Sequence, residues 1–239
     1  MHRINLTYKF NRWVPHGLTQ ADKDRRVWAC ANLLEYQRKD KILDRMVTCD
    51  EKWIYFNNTS RKGGWSAPGE PVGSIAKRNL TNKKIMLCIW WDCRGIIHKE
   101  YLEKGKTLDS KVYSEMLVRV GAAIKEKRRT EFRRKKVMFH QDNARPHVST
   151  FTSWTLYELE WDLLPHPPYS PDIAPSDFYL FSHLQLHLAG SIFHSVQDTQ
   201  NEVDMFLDSR PSSFWAEGYE KLPKRWQKVI DLGGDYYPH

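Results

Sequence analysis

Residues 84–102 read KIMLCIWWDCRGIIHKEYL, and the fold is decided there. Residues 85–91 are an unbroken apolar run. The run is too short for a membrane span, which needs about 20 residues. A strand apolar on both faces belongs at the centre of a sheet covered on each side. Asp92-Cys93-Arg94-Gly95 is a turn, and residues 96–102 return as the next strand. One of Trp90 and Trp91 is expected in the core and the other on a sheet face. Upstream, residues 46–57 (MVTCDEKWIYFN) are β-rich and form a strand of their own. The polar residues 58–83 between them carry Gly63, Gly64, Pro68, Gly69 and Pro71, so they form a long insertion and not a tight hairpin.

Outward from this core, Tyr113, Met116, Leu117, Val120 and Ile124 recur at helical spacing. Residues 137–140 form a short strand. Pro146 suits the first turn of a helix over 147–160. Residues 161–164 form a fifth strand. Five prolines from Pro165 to Pro175 stiffen the connection that follows. Ser176 is placed to cap a helix over 177–188, with Phe178, Phe181, Leu184 and Leu188 on its apolar face. Two further helices are expected near 195–208 and 217–230. Thr19 to Asp22 has the pattern of a capping box starting a helix that runs to about Tyr36. Strands joined by short connections pair antiparallel, and strands separated by helices pair parallel. The expected class is α/β, a mixed sheet flanked by helices.

The chain has 239 residues, 41% hydrophobic and 13% aromatic, which excludes a disordered tail or a fibre. Its start lacks the apolar stretch of a secretory signal. Four cysteines without a CxxC pair exclude a disulfide scaffold and a thiolate zinc site, and suit a reducing compartment, cytosol or nucleus. The net charge is +8. Much of the excess sits in residues 125–136, KEKRRTEFRRKK, with eight basic and two acidic side chains. Such a block is either a solvated helix end or a phosphate-binding patch. It has no aromatic face for lipid, so nucleic acid is the expected partner, with no membrane. Arg128, Arg129, Arg133, Arg134, Lys135 and Lys136 are the candidate DNA contacts, with Arg145 further on, next to Asp142, pairing with either a phosphate or a carboxylate.

Three aspartates stand where this layout can gather them. Asp50 lies within the first strand, Asp142 just past the fourth, and Asp177 at a helix start. Each has a bland reading. Asp177 suits a helix's first turn through the macrodipole, and Asp142-Asn143 suits a turn. Asp50 is harder to dismiss, because Asp is depleted in strands and costly to bury unpaired. Clustered carboxylates repel unless a cation sits among them. Hard oxygen ligands favour Mg²⁺ or Mn²⁺, and two such ions can clamp the attacking and leaving oxygens of a phosphodiester. Asp172, in Ser170-Pro171-Asp172, competes for the third place, but its proline context reads as a turn facing water. His140 and His147 bracket Asp142, and His140 either orients the site, touches DNA or packs. His183 and His187 have zinc spacing but no HExxH glutamate and no third ligand.

VTCDEKW at 47–53, HQDNARPH at 140–147 and PHPPYSPDIAPSDFYLF at 165–181 closely resemble the catalytic domain of mariner transposases, in the Tc1/mariner superfamily. Between Asp142 and Asp177 lie 34 residues, the spacing of the DD34D mariner branch. Trp13, Val14, Pro15 and His16 resemble the mariner linker motif, and Lys221-Leu222-Pro223 with Arg225-Trp226 also fit. The resemblance implies an RNase H-like fold. It implies that Asp50, Asp142 and Asp177 bind two Mg²⁺ or Mn²⁺ ions, that DNA is cut at transposon ends, and that the freed 3′-OH attacks a TA target. It also implies a nuclear homodimer, with the insertion at 58–83 as a clamp loop that, with the linker motif, makes dimer contacts. Residues 1–40 are then linker and helix, and residues 41–239 the catalytic domain. So few residues precede Trp13 that the helix-turn-helix modules that read transposon ends are expected to be absent from this sequence. The alternative is a truncated or host-recruited remnant that binds DNA non-specifically and at most nicks it.

Overall fold

The computed structural model describes residues 15–58, 83–102, 105–132 and 135–238. Trp13 and Val14 of the linker, Arg133 and Arg134 of the basic block, and residues 59–82 of the expected clamp loop lie outside the described residues.

The five expected strands are β1 (Met46–Tyr55), β2 (Lys84–Asp92), β3 (Gly95–Leu102), β4 (Met138–His140) and β5 (Asp162–Leu163). They form one sheet in the order β3-β2-β1-β4-β5. β1–β2 and β2–β3 pair antiparallel, and β1–β4 and β4–β5 pair parallel. This is the mixed sheet that the element order implies, in the RNase H-like form that the family resemblance implies. β4 pairs only with Met46, Val47 and Thr48, so β1 continues beyond it with no β4 partner. Asp50 sits in that continuation, opposite Ile89 of β2.

Helices cover both faces. α1 (Gln20–Asp40) begins with the expected capping box of Thr19 and Asp22 and packs on α7 (Leu222–Asp231). α2 (Ser110–Lys127) buries Tyr113, Met116, Leu117 and Val120 against Val47, Cys88, Trp90 and Phe139. The other face holds Met46, Ile54, Leu87, Ile89 and Trp91 beneath Tyr179, Leu184 and Trp226. Trp90 and Trp91 are both fully buried, one in each layer, because successive side chains of a strand point to opposite faces. Neither occupies an open sheet face, a correction to the expectation that one would.

Three helix expectations need correcting. α3 (Thr150–Glu158) starts after Pro146, because Ser149 is its cap and residues 145–148 form a turn in which His147 and Val148 donate to the Ala144 carbonyl. Ser176 caps nothing: its hydroxyl accepts from Trp91 Nε1 at 3.1 Å, and the chain passes through a π-helical segment, Ser176–Phe181, into α4 (Ser182–Leu188). The carboxy-terminal part has three helices, not two: α5 (Val196–Asp208), α6 (Ser212–Glu220) and α7, with Pro223 in the first turn of α7.

Candidate active site

The alternation of β1 sorts its charged residues between the two faces of the sheet. Asp50, Lys52 and Ile54 share the face under the 176–188 segment. Asp50 meets Asp177 there, the Lys52 ammonium lies 5.4 Å from the centre of the Phe181 ring, and Ile54 is core. Cys49 and Glu51 share the opposite face. Cys49 contacts the Tyr113 hydroxyl at 3.2 Å, and Glu51 approaches His147.

Asp50 and Asp177 face one another closely enough for their carboxyl groups to share one electrostatic field. Burial, then the charge of Asp177, then that of Glu51 push the Asp50 carboxyl well above its ordinary range. Burial also pushes Asp177 up, to about 6, against the opposing charge of Lys52 and with that of Asp142. Each of the three aspartates is therefore within the field of the others. Asp142 is turned onto His147, with Oδ1 2.5 Å from Nδ1, and also accepts from the Ala144 backbone N–H at 2.9 Å. The other ring nitrogen of His147 lies 3.3 Å from Glu51 Oε2. Burial opposes charge on this imidazole, but Asp142 and Glu51 outweigh it and raise its pKa to about 10, so it bridges them as a cation. Asp142 in turn stays below its ordinary range, burial notwithstanding, because of that hydrogen bond. The ring is held by Tyr113 at 4.2 Å, and the Tyr113 hydroxyl donates to Gln141 at 2.8 Å. Among the described residues no three His, Cys, Asp or Glu side chains are already gathered as ligands of one ion.

His140 is a packing and hydrogen-bonding residue. Its Nδ1 is 3.0 Å from Thr48 Oγ1 and its Nε2 is 3.0 Å from His166 Nδ1. Burial keeps both rings neutral, with His166 down at about 4. The Asn143 amide donates to the His166 carbonyl, tying the Asp142 turn to the proline-rich segment.

Asp172 does not face water, which corrects the sequence expectation. It is 6% exposed and receives a two-pronged ion pair from Arg26, itself 0% exposed, at 2.9 and 2.7 Å. Arg26 also donates to Ser170 and to the Gly234 carbonyl, while the Tyr237 N–H and Arg225 donate to Asp172. This clasp joins α1, the chain before Asp177 and the carboxy-terminal tail.

The basic candidates divide. Arg128 is clamped on buried Asp92 at 2.7 and 3.0 Å, which makes it a structural cation and no free phosphate ligand. Lys136 lies 3.4 Å from Asp162. Arg129, Lys135 and Arg145 are exposed and without ion pairs among the described residues. The block enters β4 from the end opposite Asp142. Of the linker, the His16 ring stacks on Tyr169 at 3.9 Å. His183 is held by the Tyr179 carbonyl and His187 by Glu202. Among the described residues no helix is long and apolar enough to cross a membrane.

Glu51, Lys52 and Arg26 had not been singled out in the sequence, and His147 only as a flank of Asp142. For the first two the signal was available, since strand alternation places Lys52 beside Asp50 and Glu51 behind it.

An RNase H-like sheet with one aspartate in β1, one past the adjacent parallel β4 and one facing them from a helical segment defines a carboxylate-site protein of the phosphodiester-processing class. A family model described as "Transposase (partial DDE domain)" matches residues 55–139. The Mariner Mos1 transposase of Drosophila mauritiana is 38% identical over 99% of this chain and 69% of its own length. The human histone-lysine N-methyltransferase SETMAR is also 38% identical over 99% of this chain, which spans 35% of that protein. Among solved structures, the Mos1 paired-end complex with Mn superposes with a TM-score of 0.92 at 37% identity, over 98% of this chain and 69% of that one. The Mos1 catalytic domain superposes at 0.81 with 35% identity, over 95% of this chain and all of that one. The chain belongs to the mariner transposases.

Proposed function

We propose that residues 41–239 cut DNA strands at transposon ends and join the freed 3′-OH to TA target DNA, with residues 1–40 as linker and helix. The observation that carries this reading is the Asp50–Asp177 pair beside Asp142. Buried carboxyl groups in one another's field hold protons more tightly than usual, and a divalent cation can take a proton's place. The donor set fits such an ion: carboxylate oxygens, partly exposed, with no thiolate and no imidazole turned toward Asp50 or Asp177. Asp50, Asp142 and Asp177 would hold two Mg²⁺ or Mn²⁺ ions. Ions so bound supply charge neutralisation at the scissile phosphate and lower the pKa of the attacking hydroxyl or water.

The chain's own residues set the geometry. His147 fixes the direction of Asp142, and the Thr48–His140–His166 chain braces the turn from behind with neutral groups that add no competing charge. Exposed Arg129, Lys135 and Arg145 bind phosphates without reading sequence, so DNA affinity falls steeply with salt. Support for DNA as partner and for a homodimer comes from Mos1, whose structures include paired-end complexes with a transposon end. Mos1 structures with Mg and with Mn support the choice of ion. Nuclear location follows from the substrate. A remnant that only nicks DNA is not favoured, because the similarity to Mos1 runs over 99% of the chain.

The test is strand cutting of DNA in Mg²⁺ or Mn²⁺, with Asp142→Ala and Asp177→Asn beside the parent chain. Cutting by the parent that both variants lose is the expected result. An Asp142→Ala chain that cuts like the parent would overturn the assignment.

A further inference from the structure

A groove of about 330 Å³ opens between β1 and α4, one residue beyond Asp50 along β1, and the transposase chemistry above does not use it. It exists because β4 stops at His140, level with Thr48, while the next backbone partner on that side, residues 190–193, meets the chain only at Phe56 and beyond. Between these two points β1 has an open flank. Ile54 and Leu188, 1% and 2% exposed, floor the groove, and the Gln185 and Asn58 amides stand at its rim. Two charged residues line it, Glu51 and Lys52, but the Glu51 carboxylate is turned through the sheet to His147. Lys52 is thus its charged side chain. Lys52 makes no ion pair among the described residues, and its charge is felt by Asp177.

A polyanion approaching three aspartates is repelled before any bond can be cut, so a strand needs a cation that the carboxylates do not consume. Lys52 is the cation in that place. Its ammonium lies 5.4 Å from the centre of the Phe181 ring, which holds the charge on the face of the sheet that Asp50 and Asp177 share. We infer that this groove is a subsite for the sugar–phosphate unit next to the scissile phosphodiester, with the Lys52 ammonium on its phosphate and the Ile54–Leu188 floor under its sugar. The inference rests on the proposed DNA-cutting function, and it makes Lys52 a substrate-binding residue.

The experiment compares the parent chain with Lys52→Gln and Lys52→Arg. Binding of a fluorescent DNA oligonucleotide is followed by anisotropy in EDTA across a salt series. Loss of one phosphate contact reduces the slope of log K against log salt by about 0.7–0.9, so Lys52→Gln should show that drop and weaker binding at low salt. Lys52→Arg should keep the parent slope. Mn²⁺ affinity, read by electron paramagnetic resonance without DNA, should be equal or higher in Lys52→Gln, since a repelling charge has gone; this also shows that the variant is folded. A Lys52→Gln chain with the parent's slope and affinity overturns the subsite, as does Lys52→Arg behaving like Lys52→Gln. If the slope depends on Lys52 while the parent cuts no DNA in Mn²⁺, the subsite stands and the cutting function falls.

Discussion

Replacing Asp172 by asparagine separates two accounts of the proline-rich segment. A turn residue facing water would lose almost nothing. The structure instead buries Asp172 against fully buried Arg26. Asparagine keeps the shape and one acceptor for Arg26 Nη1, but its amide would face two donors, Arg26 Nη2 and the Tyr237 N–H, each of which now reaches Oδ2. Removing one partner of a buried ion pair costs about 3–5 kcal/mol, and the retained acceptor argues for the low end, roughly 3 kcal/mol. In a chain of this size each kcal/mol moves the Tm by about 2–4 °C, so a fall of roughly 6–12 °C is expected. The assay is calorimetric or urea unfolding of the parent, Asp172→Asn, Arg26→Met and the double variant. The double variant should recover part of the loss, because the uncompensated charge is gone, and the cycle returns the coupling. A change within about 0.5 kcal/mol for Asp172→Asn, the range of an ordinary surface substitution, would refute the reasoning. Asp177→Asn serves as the control, since relieving repulsion with Asp50 leaves stability unchanged or higher while cutting is lost.

Three further outcomes can be checked. The folded pKa of Asp177 is raised to about 6 from an ordinary 3.8, so the folded state holds this proton more tightly, and stability contributed by the group is lost as pH rises from about 4 to 6. In EDTA the parent should lose more stability over that window than Asp177→Asn, and equal losses in melting curves would contradict the shift. Arg128→Gln should destabilise by about 3 kcal/mol through stranded Asp92, whereas Arg129→Gln with Lys135→Gln should leave melting unchanged and lower the DNA salt slope by about 2. Gly218→Ala places a Cβ 2.8 Å from Tyr179 and 3.0 Å from Trp91, and denaturant titration should show a loss of about 1–3 kcal/mol, the usual cost of overpacking.

What was legible in the sequence depended on how local the cause was. The apolar run 85–91 announces a central strand, because burial on both faces leaves no polar positions to find. Asp50 stands out for the converse reason, a carboxylate where strands avoid one. The break in α3's start was less visible: Pro146 and Ser149 both suit a helix start, and the turn closed on the Ala144 carbonyl decides for Ser149. Ser176 misled because its hydroxyl is claimed by Trp91, 85 positions away in the chain. Asp172 misled for the same reason, since its partner Arg26 lies 146 positions away. No pattern within a short window reports such a pairing.

The four residues Asp50-Glu51-Lys52-Trp53 show where a closer reading of sequence reaches the site. A strand of period two gives Asp50 and Lys52 one face and Glu51 and Trp53 the other, whatever the rest of the fold does. Once Asp177 is on the Asp50 face, Lys52 must share the carboxylates' field; once His147 follows Asp142 on the other, Glu51 is the acid that meets it. The strand thus divides labour between its sides. One side presents carboxylates and a cation to solvent, where ions and a DNA strand can approach. The other uses a carboxylate and a buried imidazolium to hold Asp142 in place. Shifting this register by one residue would exchange the two sets and put Glu51 beside Asp177. The pairing of Thr48 with His140 and of Asp50 with Ile89 is therefore as much a part of the site as the aspartates themselves.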